Sequence, residues 1–459
     1  MRLKLAAALA AFSALTAPTF AATDGCPDGL FDVLPGPGDT VTYLFGAPFV
    51  GAAGGGGDPT TQISCSIQPF AATGGFAVYS ADYRGFTFVP DAGQSVTLTS
   101  TGPGGQEGEQ VVAGPPGDDL VLSHLVGTLP GQALDIAILL DIDGGAGDQV
   151  DAGLDTADYA LVAYTTWNSV QDSANQLALQ RNAVITHLGG TANLLMGGLQ
   201  PLDGGTGIAP IAAFGSSLLG VTGQAEFGNG FSVVGGLAFV GQSYQGASFR
   251  GILAGGALRY VSPVEAPLRA FGEVGVWGSP NLGLAFVRSY ENLDEVVTAE
   301  GMSEGFIASL YARVGGIYSM NATNQIALAV TLARTSLHVD GYAEDATLEN
   351  PFPIAVADSI SRSTSIKATA TWTTEVTGRL DVTLMTGVGH AFGVTDLDTE
   401  VLWVGDVQGT ARGTTFVEYG ARLGWELRPN VTLDAFVAGT AGRGIGAHTQ
   451  IGGAVRLQF

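Results

Sequence analysis

The segment Thr415–Leu427 alternates with a period of two. Val417, Tyr419, Ala421, Leu423, Trp425 and Leu427 share one parity, and Glu418, Gly420, Arg422, Gly424 and Glu426 the other. Side chains alternate across a strand, so one face is apolar and the other charged or small. The last thirteen residues, AHTQIGGAVRLQF, repeat the pattern, with Ile451, Gly453, Val455, Leu457 and Phe459 set against Gln450, Gly452, Ala454, Arg456 and Gln458. A soluble sandwich would bury the apolar face against a second sheet. A transmembrane barrel would turn that face to lipid and line its lumen with the charges.

The lengths of the links separate the two. Read backwards from Phe459, the links 428–430, 377–380, 319–323 and 278–281 are short, while 395–411, 339–360 and 291–303 are long. All the long links then fall on one side, as in outer-membrane barrels with tight periplasmic turns and long external loops. The count over 217–459 is twelve strands, an even number, with the C-terminus on the periplasmic side. The uncharged stretches 204–225 and 227–248 are interrupted by glycine and read as strands rather than spanning helices. The expected fold is all-β: a C-terminal twelve-stranded antiparallel barrel at 201–459.

The rest of the chain differs in character. Arg2 and Lys4 precede an apolar run over 5–15, and Thr19 and Ala21 supply small residues for cleavage, so 1–21 reads as a Sec-type signal. Residues 22–166 carry eighteen acids and one base, Arg84, whereas 201–459 carry twenty-three acids and fourteen bases. Such an acidic exported segment is unsuited to nucleic acid. Short apolar runs at 40–45, 76–79, 86–89, 95–99, 120–126, 134–142 and 159–164 suggest a small β-sandwich. Cys26 and Cys65, the chain's two cysteines, read as one disulfide in an oxidising compartment. Between the two parts, 167–200 holds a helical pattern over 169–188, resumed at 192–196 and ended by QPLDGGTG.

This arrangement resembles the monomeric autotransporters of type V secretion, in architecture over 168–459 and in the terminal strand. The resemblance implies a helix threading the barrel lumen and a passenger delivered to the cell surface. It implies that Val455, Leu457 and Phe459 form the signal read by the barrel-assembly machinery, after export through the Sec translocon. A glycine expected five residues before the end is replaced by Ala454, and the passenger is short and lacks a β-helical repeat. Within the lumen, Arg422 and Arg456 are expected to face Glu418 and Glu426 in a charge network that holds the helix. Asn175 or Asn182 would be candidates for passenger cleavage, although no Asn-Asn pair is present.

Other candidate sites are weaker. Asp141, Asp143, Asp148, Asp151 and Asp155 could offer oxygen ligands to calcium. GGAGD resembles a single calcium-binding nonapeptide, but Gln149 stands where aspartate belongs and the EF-hand spacing fails. A solvated acidic loop is the simpler reading. The acids of the long links, including Glu291, Asp294, Asp340, Glu344, Asp396 and Asp406, could bridge to lipopolysaccharide through divalent cations, but solvated loops again explain them more simply. No nucleophile elbow, HExxH or paired Cys/His arrangement occurs in 22–166, and His124 beside Leu122 and Leu125 reads as packed. The expected function is therefore an outer-membrane autotransporter with a monomeric barrel, contacting outer-membrane lipid and lipopolysaccharide. It would display a non-enzymatic passenger for binding or adhesion to a ligand the sequence leaves unnamed. The alternatives are a porin-like channel with a periplasmic N-terminal domain and an enzymatic passenger.

Overall fold

The computed structural model describes residues 156–459 apart from 201, 203, 204, 216, 245 and 264–266, together with nine strand segments before them. The proposed signal peptide, Cys26, Asp148, Asp155 and the run 86–89 lie outside the described residues. So do the side chains of Cys65, His124, Asp141, Asp143 and Asp151, which leaves the disulfide and calcium readings where the sequence put them. The chain divides into an N-terminal unit and a unit comprising Asn168–Tyr290 and Val296–Phe459.

Among its described residues the N-terminal unit contains ten strands: β1 (Thr40–Leu44), β2 (Phe49–Gly51), β3 (Thr60–Ile67), β4 (Gly75–Arg84), β5 (Ser95–Thr101), β6 (Glu107–Ala113), β7 (Val121–Thr128), β8 (Leu134–Asp143), β9 (Val150–Ala152) and β10 (Thr156–Thr166). They form two four-stranded antiparallel sheets, ordered β1-β10-β4-β7 and β3-β8-β5-β6, and a β2-β9 pair. Phe76, Val78, Tyr79, Leu161 and Ala163 are buried where β4 meets β10. The sandwich packing of the two sheets concerns side chains outside the described residues. Six of the seven anticipated strands are present. The sequence pattern passes over β3 and β6, which each pair on one side only. Edge strands carry polar and charged residues, as EGEQVVA does, and so lack the apolar run of a central strand.

Helix α1 (Trp167–Leu195) follows β10 without a break. At 1.5 Å per residue it is about 43 Å long, enough to cross a bilayer core. The sequence pattern suggests a break near Gly189 and Gly190, but the helix runs through both. Gly190 is there for space, since a Cβ on it would lie 2.6 Å from Thr440 Oγ1.

Twelve strands make the wall: β11 (Gly207–Phe214), β12 (Ser217–Gly228), β13 (Phe231–Tyr244), β14 (Ala247–Val261), β15 (Leu268–Asn292), β16 (Glu295–Ser319), β17 (Asn324–Val339), β20 (Ser359–Thr377), β21 (Leu380–Val401), β22 (Gly405–Arg428), β23 (Val431–Gly442) and β24 (Gly446–Gln458). Two short strands, β18 (Tyr342–Ala343) and β19 (Ile354–Val356), lie in the link between β17 and β20, and β19 pairs with the outer end of β21. The barrel closes where β11 meets β24, with Ile208 opposite Leu457 and Phe214 opposite Ile451. Closure leaves no free edge within the membrane, which a bilayer demands because lipid cannot satisfy backbone groups.

The number of strands agrees with the sequence reading, and four of the expected bounds do not. The barrel begins at Gly207 rather than near 217. Residues 278–281 are not a turn but the middle of β15, where the register with β14 shifts between Gly251 and Ala254. Pro280 has no N–H for the ladder and sits in this irregularity, which is where a proline is tolerated inside a strand. The links read as long loops at 291–303 and 395–411 are largely strand: β15 and β16, and β21 and β22, continue outward as tall hairpins.

Alternation of burial confirms the orientation of the faces. Val417, Leu423, Trp425, Leu433, Ile451, Val455 and Phe459 are exposed, while Glu418, Arg422, Asp434 and Gln450 point inward and are buried. Outward-facing Phe231, Tyr260, Tyr318, Trp372 and Trp425 ring the end bearing the short turns, and Phe214, Phe239, Phe306 and Phe392 the other. From Phe306 to Tyr318 is about 40 Å along the strand, or about 30 Å along the axis of a barrel with typical tilt. This is an apolar belt of membrane thickness between two aromatic girdles.

Candidate functional site: the helix-filled lumen

The helix lies inside this barrel. Over 183–188 its residues are buried on every side, and its earlier turns bury Val170, Leu177 and Arg181 while Asp172 and Gln176 stay exposed. A helix with a single apolar stripe would face one wall, whereas this one touches wall all round. It enters at the end of the tall hairpins and leaves at the end of the tight turns, where the chain passes directly into β11.

The two tall hairpins explain the polar residues of its first half. β14 reaches no further than Ala247, opposite Phe286, so β15 runs past it and has backbone groups without a strand partner. Gln176 accepts the Ser289 N–H at 2.9 Å, and Gln180 donates to Val287 O. β23 likewise ends at Gly442, opposite Phe416, leaving the outer part of β22 bare on that side. There Gln171 donates to Gln408 O at 2.6 Å, Asn175 accepts the Thr410 N–H at 2.8 Å, and Asn182 donates to Arg412 O at 3.4 Å. Amide side chains carry both a donor and an acceptor, so they can substitute for a missing strand edge. Asn175 and Asn182 thus have holding roles, the latter also accepting from Thr395 Oγ1 at 2.7 Å. Gly409 lets the helix come close, since a Cβ there would overlap the Ala174 carbonyl oxygen.

Lower down the contacts become apolar and ionic. Leu195 packs into the space over Gly236, and Leu199 over Gly420. Arg313 of β16 donates to Asn193 at 2.5 Å and lies 3.7 Å from Glu273. Glu273 is itself bound by Arg259 at 2.7 Å and by the Tyr311 hydroxyl at 2.9 Å. Lys367 and Glu418 form a buried pair at 2.7 Å. Each of these buried charges therefore has a counter-charge and a hydrogen bond, the condition under which charge is tolerated away from water.

Glu418, Arg422, Glu426 and Arg456 share the inward parity of β22 and β24, and the ion pairs run to residues on neighbouring strands. Arg422 binds Asp434 at 2.8 Å and Asp381 at 2.5 Å, and Arg456 reaches Asp434 at 3.4 Å. Glu418 pairs with Lys367, and Glu426 lies at the mouth near the short turns with Arg379 and Arg456. Residues four apart on one strand are about 13 Å apart, whereas cross-strand diagonals are about 7–8 Å apart. Asp381 and Asp434 both lie opposite Gly424, one step along from Arg422. A Cβ on Gly424 would overlap both the Arg422 guanidinium and the Asp381 carboxylate, so this glycine is the seat of the fork.

At the outer end, the segment between β17 and β20 folds over the lumen. Phe352, Ile354 and Val356 are buried with Leu397 and Val401. Arg288 is held by Glu344 at 2.6 Å and by Phe352 O at 2.5 Å, and Asn350 links Glu344 to the Tyr290 hydroxyl. Burial pushes the Tyr290 hydroxyl up to about 12. The solvated reading of the loop acids therefore fails for Glu344, whose side chain is 3% exposed because its partner is the buried Arg288.

What remains open beside the helix is small. A cavity of about 80 Å³ lies between the helix and Ser309, Tyr311, Arg313, Lys367 and Glu418, and one of about 20 Å³ lies beside His187 and His448. At roughly 10–15 Å³ per water these two hold a handful of molecules, while a wider space of about 480 Å³ opens at the mouth near the short turns beside Arg379, Glu426 and Arg456. The architecture is the one the resemblance implies, a closed twelve-stranded barrel with one helix inside. No family model and no curated protein matches the chain. Among solved structures it is similar to the translocator domain of the autotransporter NalP from Neisseria meningitidis, at 15% identity over 62% of this chain and 99% of that one, with a TM-score of 0.44. It is also similar to the beta domain of the Bordetella autotransporter BrkA, at 13% identity over 55% of this chain and 97% of that one (TM-score 0.33), and to the CymD monoaromatic hydrocarbon channel, at 8% over 55% and 87% (TM-score 0.32).

Proposed function

We propose that the chain is an outer-membrane autotransporter whose barrel anchors, and has translocated, the acidic N-terminal unit of residues 22–166. The observation that carries this reading is the course of α1. It starts at the end of the tall hairpins, fills the lumen and joins the first barrel strand at the end of the tight turns. A chain that ran to the periplasm by another route would have no need of a helix matched residue by residue to the wall. The unit it leads to would stand at the cell surface and act by binding or adhesion rather than catalysis. Cys26 and Cys65 would be joined there, and Val455, Leu457 and Phe459 would direct barrel assembly. The porin-like alternative requires an open lumen, and the helix occupies it. Protease added to intact cells tests the proposal. Residues 22–166 should be degraded while the barrel survives, and a unit degraded only after the outer membrane is opened would refute surface display.

A further inference from the structure

Arg259, Arg288, Arg313, Arg422 and Arg456 point inward to carboxylates, but other arginines on the wall face out. Arg334 on β17, Arg362 on β20 and Arg412 on β22 are exposed on the outer surface, at the end of the tall hairpins. Arg334 lies opposite Thr364, Thr364 opposite Phe392, and Val394 opposite Arg412, so the three stand at nearly one height across four adjacent strands. Leu332, Ile366 and Phe392, just below, belong to the exposed apolar belt. Arg334 donates to Thr364 Oγ1 at 2.7 Å, and none of the three guanidinium groups has a carboxylate partner among the described residues. In a barrel where acids outnumber bases, three unpaired cations at the rim of the belt call for an external anion.

We propose that Arg334, Arg362 and Arg412 form a docking surface for the phosphorylated disaccharide headgroup of a lipid A-type glycolipid in the outer leaflet. The inference rests on the outer-membrane placement proposed above. A guanidinium is strongly unfavourable on the lipid face at the bilayer centre and tolerated near the interface, which is where these three stand. Arginine binds phosphate through paired N–H donors, a geometry lysine cannot match. Strands about 4.8 Å apart spread the three groups over about 14 Å. That width suits a headgroup carrying more than one phosphate better than a glycerophospholipid with one. Asp340 and Asp358 lie further out, and Asp396, opposite Thr410 and one diagonal from Arg412, makes no ion pair with it.

The test uses the full chain, folded in detergent, with bisphosphorylated lipid A and its dephosphorylated form as probes and bound lipid counted by native mass spectrometry. The wild type should prefer the bisphosphorylated form. The combined variant Arg334→Gln, Arg362→Gln, Arg412→Gln should bind it at least tenfold more weakly. Arg250→Gln, which alters an outward arginine away from the row, should bind as the wild type does, and EDTA should not release the lipid. Equal binding by the triple variant, no preference between the two probes, or full release by EDTA would overturn the proposal, the last assigning binding to divalent bridges on the acidic loops. Because this readout does not depend on where residues 22–166 lie, a protease-protected N-terminal unit would sink the display reading and leave this one standing.

Discussion

Replacing Arg422 by methionine should be among the most damaging single changes in the barrel. The guanidinium is 2% exposed and binds Asp434, 3% exposed, and Asp381, 27% exposed. Methionine fills a similar volume but leaves both carboxylates facing a site built for a cation. Breaking a buried pair from one side typically costs about 3–5 kcal/mol. Arg456 stays 3.4 Å from Asp434 and Asp381 retains some water, so the low end applies, about 3 kcal/mol. That is a factor of roughly 150 in the ratio of folded to unfolded barrel. Urea titration in detergent micelles, followed by the mobility difference between folded and heat-denatured barrel, measures it. Adding Asp381→Asn should recover much of the loss, because Asp434 then keeps Arg456 as its partner and no carboxylate is left alone. Glu426→Gln should be near neutral. A stable Arg422→Met variant, within about 0.5 kcal/mol of the wild type, would refute the pairing. So would a Glu426→Gln variant that fell as far.

Further outcomes follow from the same contacts. Gly409→Leu should push the helix off β22 and raise single-channel conductance in planar bilayers, with no change in barrel fold. Asn175→Leu should leave the exposed Thr410 N–H to water and cost about 0.5–1.5 kcal/mol, read as faster deuterium exchange at that amide. Glu344→Gln should free Arg288 and the segment 342–356, making that segment cleavable by proteinase K in intact cells while the wild type resists. Leu423→Arg should cost about 2–4 kcal/mol if the residue lies near the bilayer midplane, and a neutral result in lipid vesicles would argue against the assigned belt.

The barrel was legible because its constraint is local. Each strand must show lipid one parity and the lumen the other, and Thr415–Leu427 and the terminal strand state this directly. Strand ends were harder to read. Beyond the belt, β15, β16, β21 and β22 need no apolar face, so their outer halves look like acidic loops although they remain paired. Pro280 and the glycines beside it imitated a turn because bulges and turns use the same residues. The helix was visible as a proline-free run, but its Gln and Asn pattern carried no obvious meaning until the bare edges of β15 and β22 were in place. Ion partners were least accessible, since Arg422 finds Asp381 and Asp434 on neighbouring strands far away in sequence. Sharing the inward face of one strand does not bring Glu418 and Arg422 together, because residues four apart are neighbours only on a helix.

The central claim is that α1 occupies the barrel lumen in the native membrane. Asn182→Cys paired with Thr395→Cys, in a chain with Cys26 and Cys65 replaced by serine, tests it directly, because the two native side chains meet at 2.7 Å. With a protease site inserted between α1 and β11, oxidation in whole cells followed by cleavage should leave the helix fragment covalently attached to the barrel and released only by reductant. Release of the fragment without reductant, from barrels that are otherwise folded, would contradict the account.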